Sequence, residues 1–219
     1  MDKIEFWTVC SSNGLVFSPE QMRDFERFHD EILYWNKQVN LISRKDEENI
    51  WERHILHSLA ILKYAEIPQK ARCIDVGTGG GFPGIPLKIA RPDIRITLTD
   101  SIAKKIKITG MLAQHTGMKD ITARTVRVET LEKEKDFVRS LDLVFARAVA
   151  PLEDLLGWTK NLMKPGARLV TLKGGDLSEE KESAVRKFPG LNVVEHQIQM
   201  LGSDWFEKEE KKVLVCTLR

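Results

Sequence analysis

The densest chemistry in the sequence lies in Asp75-Val76-Gly77-Thr78-Gly79-Gly80-Gly81-Phe82-Pro83-Gly84, a glycine run with an acid at its head and a proline near its end. It follows a strand-like run, Arg72 to Val76, and precedes a helix-like stretch that reaches Ala90. Glycines at such a junction let the backbone turn sharply and let a ligand lie against it with no Cβ between them. Gly79 to Gly84 also satisfy G-x-G-x-x-G, the dinucleotide pattern, although a glycine-rich run meets many patterns by chance. Pro83 and Pro86 argue against a pyrophosphate, because each removes a backbone N–H where a pyrophosphate needs donors. Asp100 directly follows a second strand-like run, Ile94 to Thr99. A carboxylate there can accept hydrogen bonds from both hydroxyls of a ribose, and it can also cap the helix beginning near Ile102. An adenosyl ligand without a pyrophosphate suits these features, and Gly79→Val is expected to block its pocket by bulk.

The elements around the loop divide the chain. Residues 1–70 read as helical. Ser18-Pro19-Glu20-Gln21 is a helix start with a capping-box spacing, and Met22, Phe25, Phe28, Ile32 and Trp35 follow at steps of three and four. A second helix is expected over 48–64, with Trp51, Ile55, Leu59 and Leu62 on its apolar face and Pro68 as its stop. Aromatics at this spacing are core residues rather than base-stacking platforms. From residue 71 strands alternate with helices. Ile121 to Val126, Leu141 to Phe145 and Arg168 to Leu172 are further strands, and Ile102 to His115 and Leu152 to Met163 are helices. That alternation implies an α/β fold with a mainly parallel sheet. Val193 to Met200 and Val213 to Leu218 have no full-length crossover helix between them, so they are expected to pair as an antiparallel hairpin at the sheet's end.

Composition narrows the classes. With 42% hydrophobic and 30% charged residues the chain is globular rather than disordered or fibrous. No apolar run approaches the roughly 18 residues of a membrane span. Met1 to Glu5 carries acids early with no apolar segment behind it, unlike a signal peptide. Cys10, Cys73 and Cys216 are odd in number and far apart, which excludes a disulfide framework or zinc site as the organising principle and points to the cytoplasm. No metal site is expected. Net charge is +2, but residues 1–70 carry −3 and residues 71–219 carry +5, which permits an anionic partner on the second part.

Beyond these readings, Asp75 to Leu87 closely resembles the D-V-G-T-G-x-G-[FL]-P-G-[IV]-P-L signature of the glucose-inhibited division protein B family, bacterial methyltransferases of small-subunit ribosomal RNA. Other segments match in order: Asn40-Leu41; Arg53-His54-Ile55-Leu56 with Ser58; Asp100-Ser101 with Lys105; Arg127-Val128-Glu129; Ala146 to Ala150; and Leu172-Lys173-Gly174. The sequence departs from the family at His57, where an acid is common, at Ile42, where threonine is usual, and at Val128, where a small residue is common. The resemblance implies a Rossmann-like class I methyltransferase with a seven-stranded, mainly parallel sheet and an antiparallel last strand. It also implies a helical N-terminal extension (1–70) packed on an S-adenosylmethionine domain (71–219). The implied reaction is methylation of N7 of one guanine in small-subunit (16S) ribosomal RNA, free or in a ribosomal particle, by a cytoplasmic protein expected to be a monomer.

The cofactor residues implied by the resemblance are Gly77, Gly79 and Phe82 in the loop, Asp100 and Ser101 after the second strand, Val128 and Glu129 after the third, and Arg147 at the end of the fourth. Guanine N7 carries no proton in its neutral form, so no general base is required, and placement is the enzyme's main task. Arg147 is the candidate catalytic residue, able to hydrogen-bond guanine O6 or a phosphate; an ion pair with Glu129 or Asp154 is the alternative. Lys173, Arg53 and His54 are candidates for the same rim. Lys104, Lys105 and Lys107 form either an RNA-facing patch or a solvated helix face. Two other functions stay open on the residues alone: a nicotinamide or flavin oxidoreductase, resting on Gly79 to Gly84, and a non-catalytic RNA-binding module.

Overall fold

The computed structural model describes residues 1–218. Two capped helices open the chain. Asp2 and Ser18 each close a capping box, the first with Glu5 ahead of α1 (Lys3–Ser12) and the second with Gln21 ahead of α2 (Pro19–Asn36). Met22, Phe25, Phe28 and Ile32 of α2 are buried. Buried Asn36 then fixes the turn that follows. Its Oδ1 accepts the N–H groups of Leu41 and Ile42 at 2.8 and 3.0 Å, and its Nδ2 donates to Glu47.

The helix expected over 48–64 is not continuous. A 3₁₀ turn (Arg44–Asn49) leads into a π-helical segment (Trp51–Leu56), and then into α3 (His57–Leu59) and α4 (Ile61–Tyr64). It ends at Ala65, before Pro68. The apolar stripe underestimates its burial, since every residue from His54 to Ile61 is buried. A segment enclosed on all sides answers to packing on all sides, and a local π turn is one way to satisfy it. Ser58 adds to the irregularity by donating its hydroxyl to the His54 carbonyl at 2.6 Å.

The sheet comprises β1 (Arg72–Val76), β2 (Arg95–Asp100), β3 (Ile121–Thr125), β4 (Leu141–Arg147), β5 (Met163–Gly174), β6 (Leu191–Gln197) and β7 (Lys211–Leu218). Their order is β3-β2-β1-β4-β5-β7-β6, parallel except that β7 runs antiparallel to both β5 and β6. The expected tail hairpin is therefore present. Helices α5 (Gly84–Ala90), α6 (Ala103–His115), α7 (Leu152–Thr159) and α8 (Ser178–Lys187) cross over between strands, and α9 (Trp205–Lys208) sits in the β6–β7 connection.

Side chains alternate across the sheet as a strand period of two requires. Leu143, Phe145, Val170 and Leu172 join a core that also contains Phe6, Phe25, Phe28, Ile32 and Ile55. Val144, Ala146 and Leu169 join an opposite core with Leu152, Leu155 and Leu156 of α7. The N-terminal helices thus share one continuous core with one face of the sheet. Phe28 is the sharpest link, 1% exposed with its ring 5.1 Å from that of Phe82 in the glycine loop.

Phe28→Ala should cost about 3–5 kcal/mol of unfolding free energy. Because the core is shared, denaturant unfolding followed by circular dichroism and by tryptophan fluorescence should move together as one transition. Separate early melting of the helices would show that the two parts do not unfold as a unit.

Candidate active site

The strand order reverses between β1 and β4, the point at which an open α/β sheet binds its ligands beyond the strands' carboxyl ends. The glycine loop starts there, and a buried carboxyl holds it. Asp75 is fully buried, and its Oδ2 accepts from the Thr78 hydroxyl at 2.6 Å and from the Gly84 N–H at 2.9 Å, while its Oδ1 has no partner. Burial pushes the Asp75 carboxyl up to about 7, against the pull of those two hydrogen bonds and of the Arg147 charge.

Several of the loop's amides donate within the protein. The N–H groups of Gly81 and Phe82 donate to the Thr78 carbonyl, and that of Gly79 donates to Asp100 Oδ2 at 3.0 Å. At the head of α5, Gly84 donates to Asp75, Ile85 to the Gly81 carbonyl, Pro86 has no N–H, and Leu87 donates to the Pro83 carbonyl. The start of this helix therefore presents no free amide to an anion.

A cavity of about 270 Å³ opens beside the loop, lined among others by Gly77, Asp100, Ser101, Val128 and Glu129. The structure thus brings together five of the eight residues proposed from sequence. Asp100 engages the start of the helix as expected, its Oδ1 accepting the Ile102 N–H at 2.9 Å while its Oδ2 takes Gly79, and it also lines the cavity. Gly77 has a left-handed φ of 63°, and a Cβ there would lie 2.7 Å from Val149 Cγ2 on the facing wall. Val126, Val149 and Trp158 complete an apolar side that was not anticipated. Trp158 belongs to α7, and nothing in its local sequence distinguishes it from a core tryptophan.

Gly79 and Phe82 lie elsewhere. A Cβ on Gly79 would meet only the Leu41 carbonyl oxygen, at 3.9 Å, so valine there would not obstruct the cavity by bulk. That glycine is required by its φ of 55° and is tied at both ends, its N–H to Asp100 and its carbonyl to the Thr109 hydroxyl at 2.6 Å. Phe82 is 3% exposed, with its ring 5.1 Å from that of His54 and under the Arg147 guanidinium at 4.9 Å.

Arg147 borders a second cavity, of about 460 Å³, with Arg53, His54, His57, Trp205 and Lys211. It pairs with neither Glu129 nor Asp154. Nη1 donates to the Arg53 carbonyl at 3.3 Å and Nη2 to His54 Nδ1 at 2.7 Å. Burial lowers its pKa to about 10, so the guanidinium stays charged at neutral pH. His57 is buried edge-on to Trp205 and Phe206, and burial together with the Arg147 charge holds it well below its ordinary range, so the position where an acid is common is neutral here. Ile42 is buried as a packing residue. Lys173 lines the cavity, but its ammonium is tied to Glu180 of α8 and to the Ala150 carbonyl, each at 2.7 Å, which makes it a brace between β5, α8 and the β4–α7 connection. Lys104 and Lys107 are exposed on α6, away from both cavities. Ala148 lines both cavities and has a φ of 53°, an unusual conformation for a residue with a Cβ.

No thiol is poised to react. Cys10, Cys73 and Cys216 are free and buried, and burial pushes each up to about 12. Among the described residues no cluster suited to a metal ion occurs, and no helix is long and apolar enough to cross a membrane.

Comparisons with known proteins identify the family and the fold. Residues 21–210 match the family model described as rRNA small subunit methyltransferase G. A protein of that name from Bacteroides thetaiotaomicron is 41% identical over 197 residues, covering 87% of this chain and 91% of its own length. Another, from Christiangramia forsetii, is 40% identical over 213 residues, 93% of each chain. Among solved structures, a SAM-dependent O-methyltransferase from Thermotoga maritima superposes with a TM-score of 0.55 at 14% identity, over 88% of this chain and 71% of that one. The methyltransferase SibL superposes with a TM-score of 0.59 at 15% identity, over 80% of this chain and 57% of that one. At such identities these two likenesses concern the fold, a class I methyltransferase sheet.

The raised Asp75 pKa has a pH signature. The native carboxyl keeps its proton until about pH 7, whereas the unfolded one ionises near its ordinary 3.8. The unfolded state therefore binds fewer protons between those values, and stability falls as pH rises, by at most about 1.4 kcal/mol per pH unit from this group. Asp75→Asn keeps an acceptor where Oδ2 stands and cannot ionise. Denaturant midpoints measured from pH 4 to 7 should lose this slope in the variant, and parallel curves for the two proteins would refute the assignment.

Proposed function

Because this chain belongs to the rRNA small subunit methyltransferase G family, we propose that it transfers the methyl group of S-adenosylmethionine to N7 of one guanine in small-subunit (16S) ribosomal RNA. On this reading the cofactor lies in the first cavity and the guanine approaches through the second. Residues 71–219 form the cofactor domain, and residues 1–70 are an extension that supplies part of the second cavity. The acceptor is ribosomal RNA or an assembled particle, met by a monomer in the cytoplasm.

The observation that carries the reading is the internal use of the amides at the head of α5. A nicotinamide or flavin cofactor brings a pyrophosphate, which takes N–H donors at the head of the first helix. Here Gly84, Ile85 and Leu87 donate within the protein and Pro86 has nothing to donate. A ribose needs only acceptors, and Asp100 offers a carboxylate whose oxygens each carry one backbone N–H and retain capacity for more. A non-catalytic RNA module would have no need of Gly77 and Asp100 in that arrangement.

Asp100 would hold the ribose, Val128 with Val126 and Trp158 the adenine, and Glu129 the adenine's polar edge. Ser101 lies at the mouth. Gly79 acts at one remove by orienting Asp100, and Phe82 acts by carrying Arg147. Bound S-adenosylmethionine supplies an electrophilic methyl group on a sulfonium. The protein's own share is placement. Guanine N7 offers its lone pair without deprotonation, which fits a site with no activated thiol or hydroxyl. Arg147 is charged, rigidly seated and next to the shared wall, where it can donate to guanine O6 or to a phosphate.

Mapping modified nucleotides in ribosomal RNA from cells with and without the gene should show loss of a single N7-methylguanine from the small subunit; an unchanged map would sink the proposal. Calorimetry should show binding of S-adenosylmethionine and none of NAD. Arg147→Ala should lower the single-turnover rate on the cognate RNA by about two to three decades, or about 2–4 kcal/mol, with cofactor affinity little changed. Weakened cofactor binding with a near-normal rate at saturation would instead make Arg147 a cofactor ligand.

A further inference from the structure

His54 has a place in neither the cofactor cavity nor the chemistry just described, yet its ring makes the shortest contact to Arg147, 2.7 Å from Nδ1 to Nη2. An arginine can only donate, so Nδ1 is the acceptor and the ring proton is on Nε2. Nε2 faces Asp46 Oδ2 at 3.6 Å, too far for a direct hydrogen bond, and has no other partner. The other contact of Arg147 is again a neutral acceptor, the Arg53 carbonyl. The nearby carboxylate is engaged elsewhere, since Asp46 Oδ1 accepts from Arg53 Nη1 at 2.8 Å. The Arg147 guanidinium is therefore fixed by an imidazole, a carbonyl and the Phe82 face; Asp75 and Asp46 act on its charge from nearby, but neither makes a direct ion pair with it.

We infer that His54 is a positioning residue, whose neutral ring aims the Arg147 guanidinium into the second cavity while leaving its charge available to the RNA. The inference rests on the reading of Arg147 as the residue that orients the guanine. A carboxylate at the same place would hold the side chain as well or better, by a charge-assisted pair, but it would cancel the charge that a guanine O6 or a phosphate needs. A neutral acceptor separates these two effects. The imidazole is suited to the task only while unprotonated. Burial and the adjacent Arg147 charge keep it so, pulling its pKa down to about 3. The π turn contributes by setting the Arg53 carbonyl and the His54 ring toward one guanidinium from consecutive residues.

The test uses the full-length protein with three substitutions at this position, each made with and without Arg147→Ala. His54→Asn places an amide oxygen near the site of Nδ1, His54→Leu removes the acceptor, and His54→Asp restores an acceptor that carries charge. Single-turnover methyl transfer to small-subunit RNA and calorimetric affinity for S-adenosylmethionine are the readouts. His54→Asn should keep its rate within about threefold of the parent, whereas His54→Leu and His54→Asp should each lose about tenfold or more at unchanged cofactor affinity. In the Arg147→Ala background His54→Leu should have no further effect, as expected of two residues acting through one contact. Equal rates for the Asn and Asp variants would overturn the inference, and this comparison remains available if the Leu variant fails to fold, since the two are nearly isosteric. So would a His54→Leu loss undiminished by Arg147→Ala. If Arg147→Ala itself leaves the rate unchanged, the underlying reading of Arg147 is what fails.

Discussion

Asp75 holds the site together. Its carboxyl stands near the end of β1, closed off from the surface, and one of its oxygens takes both the Thr78 hydroxyl and the Gly84 amide. Those two bonds close the glycine loop on itself and set the direction in which α5 departs. The loop's shape then fixes Gly77 on the cavity wall and brings the Gly79 amide to Asp100, so that the second acid is oriented by the first through five residues of backbone. Burying an acid with one oxygen unpartnered is costly. The cost is tolerated because a carboxyl can shed its charge, which a site built on free amides could not do.

Phe82 carries the same organisation outward. Its ring touches Phe28 of α2, His54 of the π segment and the Arg147 guanidinium at the end of β4. One aromatic side chain thereby joins the N-terminal helices, the cofactor loop and the strand edge. The N-terminal part supplies the residues against which Arg147 is seated. The enclosure of residues 54–61 also explains the irregular helix there, since a segment packed on every side has no solvent face that can absorb a misfit.

Much of this was legible in the sequence. The strands, the tail hairpin and the glycine loop follow from local pattern, and most strand limits came out within a residue or two, although β5 starts five residues ahead of Arg168 and β6 ends three short of Met200. Gly77, Asp100, Ser101, Val128 and Glu129 lie at or just after strand ends, so knowing the strands brought them to one cavity. The rest was hidden because it is non-local. His54 and Arg147 are 93 residues apart and meet only through the fold. Trp158 has the sequence context of a core residue, and Asp46 sits in an unremarkable run of charge. Gly79 shows a further limit: a glycine motif reveals where the backbone needs freedom, but not toward which side an added methyl group would point.

Ala148 gives the two cavities a single wall, in a backbone conformation with little freedom to adjust on one side alone. Thermodynamic reciprocity then applies to their occupants. By whatever factor a filled first cavity changes affinity at the second, a filled second cavity changes affinity at the first by the same factor. On the proposed reading, demethylated cofactor left in place after a turnover would bear on the affinity for RNA, and bound RNA would bear equally on the affinity for the cofactor.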